Sequence, residues 1–263
     1  MITNINPKEY IESNFDNFDI VVSSSSIKYI LPDYSITYKP ENTYIKKKDL
    51  SMFTELSRNA SYLIENGVEM PEEKPKFIDM SSFAKDLDRP IWNIYEIDLR
   101  AAYWKIAKMW GLMNEDIFKY YYDTNSSQRK YVRNMSIGAL AKKETFIHFS
   151  DKNYFINETR RKETHPIFWQ IAKFCGDVME DLKILSSDSY LFFWVDAIFV
   201  LGNKNLRNDI CRRISKEGLG FKIVEISKIW KSENILYVSD SKKLRKFSVP
   251  QKVDIGNIFE SYK

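Results

Sequence analysis

The segment Leu191-Phe-Phe-Trp-Val-Asp-Ala-Ile-Phe-Val-Leu201 constrains the fold of this chain more than any other. It is nearly all apolar, too short to cross a bilayer as a helix, and interrupted by a single charge at Asp196. Aromatic and β-branched residues dominate it, so it reads as strand. Burying an unpaired carboxylate in such a run costs several kcal/mol. Asp196 therefore either serves a chemical purpose or sits exposed at the tip of a hairpin, in the turn Val195-Asp196-Ala197.

A second aspartate stands in a comparable place. Ile91-Trp-Asn-Ile-Tyr-Glu-Ile-Asp98 alternates as a strand, and from Leu99 the pattern turns helical through Ala101, Ala102, Ile106 and Met109. Asp98 can cap that helix. It can also converge with Asp196, as carboxylates do when they hold Mg2+ for phosphoryl transfer.

The surrounding pattern predicts a strand near Ile20-Val-Val22 and a helix over 49–66, with Asp49 as cap and Phe53, Leu56, Ala60 and Leu63 on one side. The four-serine run Ser23–Ser26 is a turn or loop, and Met70-Pro-Glu-Glu-Lys-Pro-Lys76 is a linker. Helices follow over 114–122 and 127–143, joined by a polar turn at Thr124-Asn-Ser-Ser127. Pro166 opens another helix, capped by Thr164, with Phe168, Ile171, Ala172, Cys175 and Met179 as its stripe. A last helix at 205–216 precedes strands near 221–230 and 233–238. This order predicts an α+β fold on an antiparallel sheet with helices on one face. Residues 1–76 form a small N-terminal module without an assigned role, and 77–263 the main domain.

Composition narrows the class of function. Residues 1–99 carry 11 Lys/Arg against 17 Asp/Glu, net −6, which leaves +10 for the rest of a chain of net charge +4. That basic part suits a polyanionic ligand, or is a solvated Lys-rich surface. No run of about 18 apolar residues is present, so no membrane partner is expected. No secretory signal is visible at the N-terminus, which points to the cytoplasm. Cys175 and Cys211 lack the spacing of a disulfide framework or a zinc knuckle. His148 and His165 read as surface or capping residues.

Three motifs, in order, resemble those of family B DNA polymerases. Asp98-Leu-Arg-Ala-Ala-Tyr103 is similar to the family's Asp-x-x-Ser-Leu-Tyr-Pro. Lys130-Tyr-Val-Arg-Asn134-Met-Ser-Ile-Gly138 is similar to Lys-x-x-x-Asn-Ser-x-Tyr-Gly, with Lys130 and Asn134 one helical turn apart. Phe192-Phe-Trp-Val-Asp196-Ala-Ile198 is similar to Tyr-x-Asp-Thr-Asp-Ser-Ile, with Asp196 at the second Asp. The tail Lys242-Lys-Leu-Arg-Lys-Phe247 resembles the family's basic Lys-Lys-x-Tyr element without its tyrosine. The resemblance covers about residues 91–247. It departs at Trp104, Met135, Ile137 and Trp194, which stand for the family's Pro, Ser, Tyr and first Asp of the third motif.

What the resemblance implies is a compact palm-type sheet with short helical fingers at about 112–150, of the protein-primed or phage type. It implies a template-directed DNA nucleotidyltransferase using two Mg2+ ions, with Mn2+ as a substitute, on a primer–template and dNTPs. Such an enzyme would serve phage or mobile-element replication in a host bacterial cytoplasm, beside a priming or thumb-supplying protein. Asp98 and Asp196 would be the catalytic metal ligands. Arg129, Lys130 and Arg133 would meet nucleotide phosphates, Asn134 and Gly138 would floor the base-pair pocket, and Tyr103 would be the steric gate. Lys242, Lys243, Arg245 and Lys246 would contact DNA. The alternative is a palm-derived nucleic-acid-binding or replication-accessory protein without turnover. A palm-type RNA polymerase or reverse transcriptase fits less well, because the hairpin carries one acidic residue where those carry two.

Overall fold

The computed structural model describes residues 11, 13–23, 26–33, 35–38, 47–83, 89–122, 125–150 and 152–249. The chain is α+β with antiparallel sheets and divides into two compact units, each discontinuous in sequence. One unit combines residues 1–70 with 110–169, the other 71–109 with 170–263. The linker at 70–76 does contain a boundary. The linear division at 76 differs from this arrangement because a strand near residue 20 pairs with one near 147.

In the first unit, β1 (Phe18–Ser23), β2 (Ser26–Ile30), β3 (Ser35–Tyr38), β6 (Lys143–Ser150) and β7 (Asn153–Arg161) form a sheet of order β3-β2-β1-β6-β7. Ser23 pairs with Ser26 at the end of the first hairpin, with Ser24 and Ser25 outside the described residues. Phe18 stacks on Phe149 with ring centroids 4.5 Å apart, joining β1 to β6 inside an apolar cluster with Ile20, Tyr29 and Leu31. Helix α1 (Lys47–Glu65) buries Met52, Leu56 and Ala60, a stripe that starts at Met52 where Phe53 was expected. Helices α3 (Glu115–Tyr122) and α4 (Ser127–Gly138) also belong here. Ser126 caps α4, its hydroxyl accepting from Arg129 N, and Thr124 lies outside the described residues.

In the second unit, β4 (Ile78–Asp79), β5 (Ile94–Leu99), β8 (Tyr190–Trp194), β9 (Ala197–Leu201) and β10 (Phe221–Ile226) form a sheet of order β10-β5-β9-β8-β4. A second sheet takes β11 (Lys228–Ser232), β12 (Ile235–Ser239) and β13 (Leu244–Ser248) in sequence order. The expected strand over 221–230 is thus two, broken at Ser227 and shared between the sheets. Both sheets contribute to one apolar cluster that includes Ile94, Phe192, Phe199, Ile229, Leu236 and Val238. Its aromatic centre is Phe192 stacked on Phe199 at 4.0 Å, with Phe247 edge-on to Phe192 at 5.9 Å.

Helices α2 (Ala102–Met109) and α6 (Lys204–Lys216) lie in this unit, while α5 (His165–Ser186) runs through the boundary at 169/170. Thr164 directly precedes α5 and is buried, its hydroxyl donating to Leu140 O (3.0 Å). His165 is buried against Trp169 and Arg161, not at the surface, whereas His148 pairs with the exposed Asp19. No helix among the described residues is long and apolar enough to cross a membrane.

The register of β5 on β9 decides where Asp98 falls. Gly202 fixes it from the far end. Gly202 N donates to Asn93 O (2.6 Å), and Asn93 Nδ2 donates back to Gly202 O (3.2 Å). A Cβ at Gly202 would lie only 2.1 Å from Asn93 Oδ1, so a larger residue there would displace the Asn93 side chain and its bond to Gly202 O. The pairing that follows sets Ile94 against Leu201 and Asp98 against Ala197.

Candidate active site

Asp98 lies inside β5, between Ala197 of β9 and Lys222 of β10. The cap reading fails, because α2 begins only at Ala102. Asp196 occupies the two-residue turn joining β8 and β9, as the hairpin reading anticipated, and it is half-buried. Leu99 N donates to Asp196 O at 2.8 Å, bonding the end of β5 directly to that turn.

Both turns carry backbone strain. Val195 has φ 56° and Ala101 φ 51°. Among the described residues they are the two apolar ones of six non-glycine positions with positive φ, and neither side chain can repay the strain by a local hydrogen bond. A β-branched residue in this region is an outlier held by its surroundings. Val195 N donates to Phe77 O (2.6 Å) and Val195 O accepts from Cys175 Sγ (3.9 Å). Strain of this kind gathers where a side chain must be aimed, and here it flanks both aspartates.

The two carboxylates line one cleft of about 730 Å3, between the five-stranded sheet and the β12–β13 turn. Period-two alternation puts Glu96 on the same face of β5 as Asp98, and Glu96 lines the cleft too. This neighbouring carboxylate was missed in the sequence. The signal was available in Glu96-Ile97-Asp98, two acids at strand spacing. Glu96 is held by Arg245, whose Nη1 and Nη2 donate to its two oxygens at 2.6 and 2.5 Å. Trp194, standing at the position of the family's other Asp, also lines the cleft and packs edge-on to Phe247 at 5.1 Å.

Burial, the Asp196 charge and the Glu96 charge together push the Asp98 carboxyl up to about 7, with Lys222 and Arg245 opposing. Asp98 and Asp196 are therefore near enough to repel. Burial, with Cys175 and Asp196 nearby, also raises the Tyr103 hydroxyl far above its ordinary range, so Tyr103 stays neutral beside Asp196. Cys175, buried in α5, is raised by burial and by Asp196 in the same way and remains a thiol.

The Asp98 shift has a measurable consequence. Between the ordinary value of 3.8 and about 7 the folded chain holds a proton that the unfolded chain releases, so stability falls as pH rises through that window. Asp98→Asn removes this penalty, and at pH 8 without divalent cations it should gain about 2 kcal/mol, allowing for partial exposure. Thermal melts of both proteins at pH 5 and pH 8 check this, and the gain should vanish at pH below 4.

Among the described residues no set of three or more His, Cys, Asp or Glu side chains forms a closed metal site. Two mutually repelling carboxylates on one cleft wall still fit Mg2+, which uses one or two carboxylates, substrate phosphates and water.

The basic tail reaches the same cleft. Lys242 and Lys243 line it from the β12–β13 turn, where both their N–H groups donate to Asp240 Oδ1 at 2.7 and 2.9 Å. Arg245 lines it as well, with Nη1 and Nη2 engaged by Glu96. Lys246 faces the other side of β13, over the Tyr237 ring at 5.6 Å.

The second motif lies on α4 of the other unit. Lys130, Asn134 and Gly138 are exposed along one face of that helix. Arg129 stacks over Tyr120 at 4.0 Å, and Arg133 Nη1 donates to Tyr121 O (3.3 Å). Both arginines thus brace α4 against α3. No protein-family model matches the chain, and comparison with curated proteins finds no significant relative.

Proposed function

We propose that the chain is a minimal template-directed DNA nucleotidyltransferase with a palm like that of family B polymerases. The observation that carries this reading is the convergence on one cleft of Asp98, Asp196 and the basic turn at Lys242 and Lys243, chosen from sequence positions about a hundred and fifty residues apart. A divalent cation at the two aspartates supplies charge neutralisation and activation of the attacking hydroxyl. Asp98 would have to release its proton to bind such a cation. Lys242, Lys243 and Lys222 bring positive charge to the same cleft for primer and product phosphates. Neutral Tyr103, beside Asp196, limits the room at the sugar.

The second reading, a nucleic-acid-binding accessory protein without turnover, is favoured by Trp194 at an acidic position of the family and by Glu96 being tied up by Arg245. Primer extension with labelled dNTPs and Mg2+ or Mn2+ separates the two. The wild type should extend a primer, and Tyr103→Ala should raise ribonucleotide over deoxyribonucleotide incorporation. Steeply salt-dependent DNA binding with no incorporation under either metal would decide for the accessory protein.

A further inference from the structure

The outward face of the β11–β12–β13 sheet carries a second feature that the cleft does not use. Strand alternation sends Ile229, Leu236, Val238 and Phe247 inward, while Lys228, Trp230, Tyr237 and Lys246 face out. Trp230, Tyr237 and Lys246 are direct cross-strand partners, one on each strand. Reciprocal bonds between Ile91 and Ile229, at 2.8 and 2.9 Å, bring Trp92 beside this row.

The result is an alternating ladder. Trp230 and Tyr237 lie parallel, 8° apart, with centroids at 5.1 Å. Lys228 Nζ stands 5.0 Å from the Trp230 ring and 5.2 Å from that of Trp92, and Lys246 Nζ stands 5.6 Å from Tyr237. Trp92 is 58% exposed, with Lys228 as its ring contact. None of the outward positions on the three strands is Asp or Glu. The acids nearest in sequence, Glu233 and Asp240, sit in the two turns, and Asp240 is occupied by the N–H groups of Lys242 and Lys243.

A cross-strand ladder of this kind stabilises a small sheet by itself. The numbers favour a further role. An exposed lysine over a ring contributes about two- to fivefold in an equilibrium, whereas a nucleobase stacked on an aromatic side chain contributes ~5- to 150-fold. A base can therefore displace each lysine from its ring, and the freed ammonium group lies one residue away from the adjoining phosphate. A peptide partner would leave the two lysines without acids to meet, unless it were itself acidic.

We propose that this sheet face is a stacking platform for single-stranded nucleic acid, with Trp92, Trp230 and Tyr237 taking bases and Lys228 and Lys246 taking phosphates. The chemistry is sequence-tolerant, because every base has a stacking face. Duplex is excluded, since its bases are already stacked on one another.

The test uses the full chain in EDTA without nucleotides, which makes it independent of the polymerase reading. Fluorescence anisotropy follows binding of labelled dT15 and rU15, with a 15-base-pair duplex as competitor. Trp92→Ala and Trp230→Ala should each weaken single-strand binding about tenfold. The pair Lys228→Ala/Lys246→Ala should lower the salt slope by about 1.4, from two phosphates at ~0.7 each. A loss on dT15, rU15 or both supports the platform and identifies the strand it takes. Should Trp230→Ala fail to fold, Trp92→Ala decides, as its ring lies outside the strands. Unchanged single-strand affinity in Trp92→Ala overturns the proposal. So does a wild type that binds neither oligonucleotide.

Discussion

Asp196→Asn is expected to reduce nucleotide incorporation by about a thousandfold or more while leaving the fold intact. Asn keeps the size of the side chain and one acceptor oxygen, so the strained turn at Val195 and the bond from Leu99 N to Asp196 O persist. What is lost is charge, and oxygen ligation of a hard divalent cation depends strongly on ligand charge. A second readout separates this from damage. The Asp196 charge is one of the causes that raise Asp98, so in Asp196→Asn the Asp98 carboxyl should fall back from about 7 toward its ordinary range. The variant should therefore melt above wild type at pH 8 in EDTA, yet show little stabilisation by added Mg2+. Primer–template affinity, which rests on lysines and arginines, should be nearly unchanged or slightly tighter at low salt. A variant that incorporates as fast as wild type would place the site elsewhere.

Much of the second unit was legible because its signals are local. The apolar run around Asp196 could only be a buried strand hairpin, and the switch from period two to helical period after Asp98 marks β5 and α2. Helices α1 and α5 each announced themselves by an apolar stripe, and α3, α4 and α6 by runs of helical residues between polar turns. The five-stranded sheet of the first unit was largely invisible. Strand β6, Lys143-Glu-Thr-Phe-Ile-His-Phe-Ser150, opens on two charges, and β7 ends on Glu158-Thr-Arg-Arg161, so neither shows clean alternation. Strand β6 is placed by pairing with β1, over a hundred residues away, and β7 by pairing with β6 in turn, and no local pattern reports the long-range contact.

The same limit explains the site. Asp98 and Asp196 stood out because each charge interrupts apolar surroundings. Glu96 did not, although it is the more deeply buried, because its meaning depends on Arg245, 149 positions along the chain. A basic tail read alone suggests phosphate contacts. Folded, one of its cations is withdrawn to neutralise a floor carboxylate, and another, Lys246, is turned to the opposite face of the sheet.

The largest stability effect should come from breaking that pair. Arg245→Ala is expected to cost about 3–4 kcal/mol, because it strands the Glu96 charge in a nearly buried position beside Asp98. The guanidinium also covers the rings of Phe199 and Phe247, at 5.7 and 5.9 Å from their centroids, so packing is lost together with charge. Arg245→Lys should recover only part of this, since an ammonium cannot make the two parallel bonds to both Glu96 oxygens. The decisive comparison is the double variant Glu96→Leu/Arg245→Leu. Removing both charges leaves no buried ion to compensate, so most of the lost stability should return. Chemical denaturation of the three variants tests this order. Arg245 also opposes the rise of the Asp98 carboxyl, so Arg245→Ala should push Asp98 further up and shift any pH–rate profile to higher pH. In the double variant the Glu96 charge is gone as well, and the profile should move back toward that of wild type. If Arg245→Ala and the double variant are equally unstable, the pair is a packing element only, and the shared electrostatics of Glu96, Asp98 and Arg245 must be abandoned.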